Sequence, residues 1–177
     1  MANFDQAQKF VHKAEGGYQA DPRDRGNWTS GKRGTGELVG TKYGISAPVL
    51  SRYLGRTCTV QDMTALPYTT ALAIYRDRYW EPLELDLLHD QQLALLLYDA
   101  AVNQGPGVAR AALFKALEGI GATPTDARFT AHMVSLANQY SAEQLHPIAW
   151  EYRLSRYPKE SPFYAGWMKR LNRLKRA

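Results

Sequence analysis

A single cysteine, Cys58, and the absence of any long apolar run define what this chain does without. One thiol cannot close an internal disulfide, so stability must come from packing, and the chain suits a reducing compartment. The opening residues, MANFDQAQKFVHKAEGG, contain no stretch of about 7 to 15 apolar residues of the kind a secretory signal needs, and no segment reaches about 18. The expectation is a product of the cytoplasm that relies on another factor to reach any target outside it. His12, His89, His132 and His146 fall at no metal-ligand spacing, and there is no Gly-x-Ser-x-Gly elbow, P-loop or dinucleotide fingerprint. No metal and no cofactor are expected, and peptide or ester cleavage has little support. Repeats and low-complexity segments are missing too.

What is present is ordinary globular material. With 177 residues, 45% hydrophobic and 22% charged, the chain holds one domain, or one domain with a small appended part, and enough apolar surface for a core. The formal net charge is +5, and Lys169, Arg170, Arg173, Lys175 and Arg176 crowd the C-terminus. Such a cluster attracts polyanions at long range, whether nucleic acid, anionic lipid or an acidic wall polymer.

Helical signals run through most of the chain. Phe4, Ala7, Val11 and Ala14 recur at three-to-four spacing, and Gly16 and Gly17 are natural stops, so a first amphipathic helix covers residues 4–14. From Asp21 to Gly44 six glycines and short β-prone pieces predict a loop or small hairpin lobe. Further helices are predicted at Ala47–Leu54, from Pro67 to Trp80, from Asp90 to Gly105, from Gly107 to Glu118 with Gly119 as the stop, and from Thr125 to Tyr140. Another opens at a Ser141/Gln144 capping box and runs to about Tyr157, and a basic helix closes the chain. The segment LALLLYDAAVNQG is apolar nearly all round and reads as a buried central helix, whose Asp99, Asn103 and Gln104 then need partners. The fold class is mostly α, a helical bundle with a small glycine-rich β-hairpin lobe near the N-terminus.

The chemistry concentrates in EGGYQADPRDRGNWTSGKRG. Glu15, at the last turn of a helix, feels the negative end of the macrodipole, and Phe10, Val11, Tyr18 and Trp28 can lower the local dielectric. Both effects favour the protonated form, which a general acid for a glycosidic leaving oxygen needs. Cleavage also needs a second group, to orient water or to steady the positive charge on the sugar, and Asp21 and Asp24 are the candidates. Thr41, Thr29 and Ser46 offer hydroxyls to hold the water. A plain turn at Asp-Pro-Arg-Asp is the competing reading.

EGGYQADPRDRG and GTKYGIS, followed by YRDRYW and LYDAAVNQGPGVARAALFKAL, closely resemble the glycoside hydrolase family 108 muramidases, which include phage endolysins and bacterial lysozyme-like proteins that aid protein release. The resemblance covers nearly the whole chain. It implies an α+β lysozyme-like fold, with a catalytic part over residues 1–90 and a helical peptidoglycan-binding part over 91–177. It further implies that Glu15 is the catalytic acid, with Asp24, Asp21 and Thr41 beside it. The nine-position step from Glu15 to Asp24 is also seen between the acid and aspartate of phage-type lysozymes. In this chain NWTSGKRGTGELVG intervenes before the Thr-x-x-Gly-Ile element, which leaves both Thr41 and Thr29 open for the hydroxyl role. Tyr18, Trp28, Tyr43, Tyr98 and Asn103 are the expected substrate contacts.

The expected activity is therefore cleavage of the β-1,4 bond between N-acetylmuramic acid and N-acetylglucosamine, by a monomer that needs no cofactor. The partners are peptidoglycan strands, with anionic envelope contact through the basic C-terminal helix and no nucleic acid. A phage-type enzyme would be made in the host cytoplasm and reach the periplasmic wall through a holin. The alternative is a non-catalytic peptidoglycan-binding or membrane-active accessory module, working through its basic amphipathic tail.

Overall fold

The computed structural model describes residues 1–12, 17–124 and 130–175. It resolves into two units, one of Lys9–Tyr75 and one of Met1–Gln8 with Arg76–Ala177, and helix α1 (Phe4–His12) contributes residues to both. The expected division at residue 90 lies inside the second unit, because the segment after Arg76 buries Trp80, Leu83 and Leu85 there. Mostly helical architecture with one small sheet is what the patterning predicts, and it is what the described residues show.

In the Lys9–Tyr75 unit the sheet is a minimal antiparallel hairpin. Strands β1 (Thr41–Lys42) and β2 (Ile45–Ser46) pair Thr41 with Ser46 and Lys42 with Ile45. Tyr43 and Gly44 form the turn, both left-handed at φ 51° and 73°, the geometry that matches a two-residue hairpin to strand twist. Tyr43 accepts this conformation without being glycine, and the Tyr75 hydroxyl donates to its carbonyl at 3.1 Å.

Helix α2 (Ala47–Leu54) carries proline in its first turn and ends on left-handed Gly55, whose N–H returns to the Arg52 carbonyl. A five-residue helix α3 (Val60–Thr64), which periodicity is too short to reveal, forms on a capping box between Thr59 and Asp62. Arg56 clamps the Asp62 carboxylate at 2.7 and 2.8 Å and holds it well below the usual carboxylate range. Helix α4 (Tyr68–Tyr75) completes the unit around Val39, Ile45, Leu50, Met63 and Ile74. Cys58 sits wholly inside and behaves as a small apolar residue.

The chain after α4 departs from the single predicted helix ending at Trp80. Residues Arg76–Trp80 wind as a π-helical turn that places Trp80 in the core, its ring edge-on to Phe4 at 5.5 Å and to Tyr98 at 5.4 Å. Asp90 then caps helix α5 (Gln91–Gln104), accepting from the Leu93 N–H at 2.7 Å, and Gly105 ends it at φ 95°. Proline at the first turn starts α6 (Pro106–Gly119) at once. Gly119 is the last residue of that helix, at the predicted end. A Cβ there would come to 3.0 Å from Ile148 Cδ1, so glycine lets α6 approach the helix that carries Ile148 closely, and left-handed Gly121 makes the turn.

Helix α7 (Thr130–Ala137) lies in the predicted 125–140 helix, whose first five residues lie outside the described set, and it ends three residues short of Tyr140. Helix α8 (Ala142–Ser155) is capped by Ser141, which takes the Glu143 N–H at 3.2 Å where the box had predicted Gln144 as its companion. Helix α9 (Tyr164–Asn172) carries Lys169 and Arg170 of the basic cluster, with Arg173 at its C-cap and Lys175 beyond it, and Leu171 and Leu174 are buried; Arg176 lies outside the described residues.

Candidate active site

Two segments of the Lys9–Tyr75 unit meet to form the floor of the predicted catalytic lobe. Gln19 and Thr41 exchange backbone hydrogen bonds, Gln19 N–H to Thr41 O at 2.9 Å and Thr41 N–H to Gln19 O at 2.8 Å. Asn27, fully buried, receives the returning chain: its carbonyl accepts from the N–H groups of Val39 and Gly40 at 2.8 and 3.0 Å. The intervening 28–38 insert closes on itself. Trp28 bridges to Leu38, the Thr29 hydroxyl accepts from the Glu37 N–H at 3.0 Å, and the Ser30 hydroxyl donates to the Thr35 carbonyl at 2.7 Å. A self-contained insert explains why Thr41 stays beside Gln19 despite its distance in sequence. The Thr29 hydroxyl oxygen takes the Glu37 N–H inside the insert.

The side chains of this floor form one amide network. Gln19 Nε2 donates to Asn27 Oδ1 at 3.1 Å, and Asn27 Nδ2 donates to Gln19 Oε1 at 2.8 Å and to the Asp21 carbonyl at 2.9 Å. The same Gln19 amide reaches Asp24 Oδ2 at 3.4 Å, while the Gly26 N–H donates to Asp24 Oδ1 at 2.8 Å. Asp24 thereby caps a short 3-10 turn, Arg25–Asn27, with its carboxylate exposed to solvent. Neither Gln19 nor Asn27 carries a sequence signal beyond its neighbouring glycines and aspartates, and both escape the sequence reading.

Asp21 stands differently from Asp24. Arg23 grips both of its oxygens, with Nε at 3.0 and 3.1 Å and Nη2 at 2.8 Å, and also donates its backbone N–H to Oδ1 at 2.9 Å. The Arg23 side-chain bonds are the main cause of its lowered pKa, about 2, with the Arg23 backbone bond next. The pair is exposed to water, so it shapes the turn more than it stabilises the fold. Of the two aspartates, Asp24 keeps a carboxylate less encumbered by a cation. Glu15 lies outside the described residues.

The expected sugar contacts divide between the units. Tyr18 is 41% exposed, and its hydroxyl donates to the Val39 carbonyl at 3.1 Å. Gly40, at φ 95°, lies under it so tightly that a Cβ would sit 2.6 Å from Tyr18 Cε2 and from the Gln19 carbonyl oxygen. Trp28, half-buried, is pinned by its indole N–H on the Pro22 carbonyl at 3.0 Å. Tyr43 packs edge-on to Tyr68 at 5.3 Å, with Lys42 Nζ 5.1 Å from its ring centre.

Tyr98 belongs to the other unit and is fully buried between Phe4 and Trp80, its hydroxyl bonded to Gln8 Oε1. A sugar has no access to it, so the substrate role expected of Tyr98 gives way to packing. Asn103 is exposed at the end of α5, and its amide donates one turn back to the Asp99 carbonyl at 2.8 Å.

The polar members of α5 find the partners that burial demands. Asp99, without solvent exposure, accepts from Arg153 Nη2 at 2.8 Å and Arg170 Nε at 2.7 Å. Arg153, equally buried, also donates to Gln104 Oε1 and to the Leu96 carbonyl, each at 3.0 Å. Among the described residues no three His, Cys, Asp or Glu side chains stand together as a metal site.

The glycosyl hydrolase 108 family model matches residues 8–105. Among solved structures, Brucella abortus SagA is similar at 27% identity and a TM-score of 0.73, over 97% of this chain and 90% of that one. None of the curated protein sequences matches.

Proposed function

Since the chain belongs to the glycosyl hydrolase 108 family, we propose that it is a muramidase that cuts the β-1,4 bond between N-acetylmuramic acid and N-acetylglucosamine in peptidoglycan. The observation that carries the reading is the exposed Asp24 carboxylate, oriented by Gly26 and Gln19, nine positions after the one glutamate whose setting suits a general acid. In this reading Glu15 gives its proton to the glycosidic oxygen as the C1–O bond breaks. Water attacks C1 and gives up a proton, to Asp24 where Asp24 orients the water, or to the Glu15 carboxylate where Asp24 faces the positive charge growing on the ring. A carboxylate held by neutral donors keeps its full charge for either task, whereas Asp21 spends its charge on Arg23 and builds the turn. Thr41, paired with Gln19, is the hydroxyl next to this network. The proposed setting is lysis from within, with a holin granting access to the wall.

Mass spectrometry of the soluble products from purified Gram-negative sacculi tests the reading, with Glu15→Gln alongside. Native protein is expected to release muropeptides with reducing N-acetylmuramic acid ends, and Glu15→Gln none. Anhydro-muramic ends would mean a lytic transglycosylase, and freed peptides a different bond. Products from neither protein would overturn the enzymatic reading in favour of a binding module.

A further inference from the structure

The 28–38 insert is held more firmly than a spacer between Asn27 and Val39 requires. The Trp28–Leu38 bridge closes its neck, and the Thr29 N–H donates to the Glu37 carbonyl at 3.0 Å. At the tip the Thr35 N–H returns to the Lys32 carbonyl at 3.2 Å, a β-turn with Arg33 at one corner and left-handed Gly34 at the other. Ser30 braces this turn: its hydroxyl oxygen takes the Lys32 N–H at 3.1 Å, while its proton goes to the Thr35 carbonyl. Gly36, at φ 76°, passes so close that a Cβ would sit 2.5 Å from Thr29 Oγ1. Lys32 and Arg33 are both exposed, so the insert presents two cations on a stiff turn.

That turn is fastened to the aspartates. The Trp28 indole N–H holds the carbonyl of Pro22, which lies between Asp21 and Asp24 in the chain. The bonds from Arg23 lead in lowering the Asp21 pKa, and the charge of Arg33 contributes to the same shift, so the tip cation bears on the aspartate turn through space. Asp21 already occupies Arg23, whereas neither Lys32 nor Arg33 has an ion pair among the described residues. The insert side of the candidate site therefore lies in positive potential. A bare glycan strand is neutral and gains nothing there. Stem peptides hang carboxylates from the muramic residues, and a guanidinium pairs with a carboxylate through two parallel bonds.

We propose that Lys32 and Arg33 set the substrate charge that this lobe accepts: they take carboxylates of the strand at the candidate site, so that a charged, stem-bearing glycan is favoured over a neutral one. The identity of the strand rests on the muramidase reading. The specificity belongs to the insert of the Lys9–Tyr75 unit, and the helical unit has no part in it.

Isothermal titration calorimetry of the full chain tests the proposal, in a Glu15→Gln background that keeps strands whole, with short glycan strands that carry stem peptides and with the same strands stripped of them. The stem-bearing strands are expected to bind about fivefold tighter, the scale of two exposed ion pairs, and the difference should shrink as salt rises. Adding Lys32→Gln and Arg33→Gln together should abolish the difference and leave binding of the stripped strands unchanged. The exchanged pair, Lys32→Arg with Arg33→Lys, should retain it. All these side chains are exposed, so the variants should fold, and unchanged melting curves check that. No preference for stems, a preference that survives loss of both cations, or an equal loss of affinity for stripped strands would each overturn the proposal. Binding is read whether or not native protein cleaves sacculi. A stem preference without sugar products would sink the muramidase reading alone, and sugar products without a stem preference would sink this proposal alone.

Discussion

Gln19 and Asn27 hold each other by two amide hydrogen bonds, 3.1 Å in one direction and 2.8 Å in the other, and the same glutamine amide extends to Asp24. This pair ties together the turn that presents the carboxylate, the strand that carries Thr41 and the mouth of the insert. Asn27→Ala would remove three side-chain hydrogen bonds at a fully buried position, although Gln19 Oε1 keeps the Asp21 N–H and the Asp21 carbonyl keeps the Asp24 N–H. The expected cost is about 1–3 kcal/mol, read as a lower urea midpoint. An unaltered midpoint would show that the pair does not hold the lobe.

The Asp21–Arg23 pair predicts a pH signature. Its folded pKa, about 2, lies below the ordinary 3.8. The sign follows: a carboxyl with a depressed folded pKa contributes stability that is full above 3.8 and is lost as pH falls toward 2. Carbon-detected NMR titration of the Asp21 carboxyl should give a midpoint near 2, and Arg23→Gln should move it back up toward 3.8. A midpoint near the ordinary value in the native protein would mean that the chelate does not persist in solution.

Arg153 and Asp99 form a pair with no solvent exposure on either side. Arg153→Met should cost about 3–5 kcal/mol in urea unfolding, because it strands a buried carboxylate against Arg170 alone. Adding Asp99→Leu should deepen the loss, since the largely buried Arg170 guanidinium then has no carboxylate. A double variant more stable than the single one would show that Arg170 does not depend on Asp99.

Much of the architecture is legible along the chain. Asp90, Pro106 and Gly105 mark the ends of α5 and α6 because capping and the proline ring act within a few residues. The Thr59-x-x-Asp62 box was legible too, yet five residues show no periodicity to draw attention to it. Gly119 illustrates the limit: a glycine near a helix end looks like a stop, and only the position of Ile148 shows that its missing side chain serves packing. Tyr98 is a second case, since an aromatic beside polar residues on one helix reads equally as a ligand or as core, and Phe4 and Trp80 decide for core.

The amino-acid sequence by itself determined the helical class, the glycine-rich lobe and the order of the carboxylates, because backbone sterics, capping and apolar periodicity are local. Only the tertiary structure decided who pairs with whom. Gln19 finds Asn27 eight residues on, and Arg153 finds Asp99 across 54. Such choices follow from burial, which obliges each enclosed polar atom to take the partner the fold brings within about 3 Å, and no spacing in the chain announces that partner.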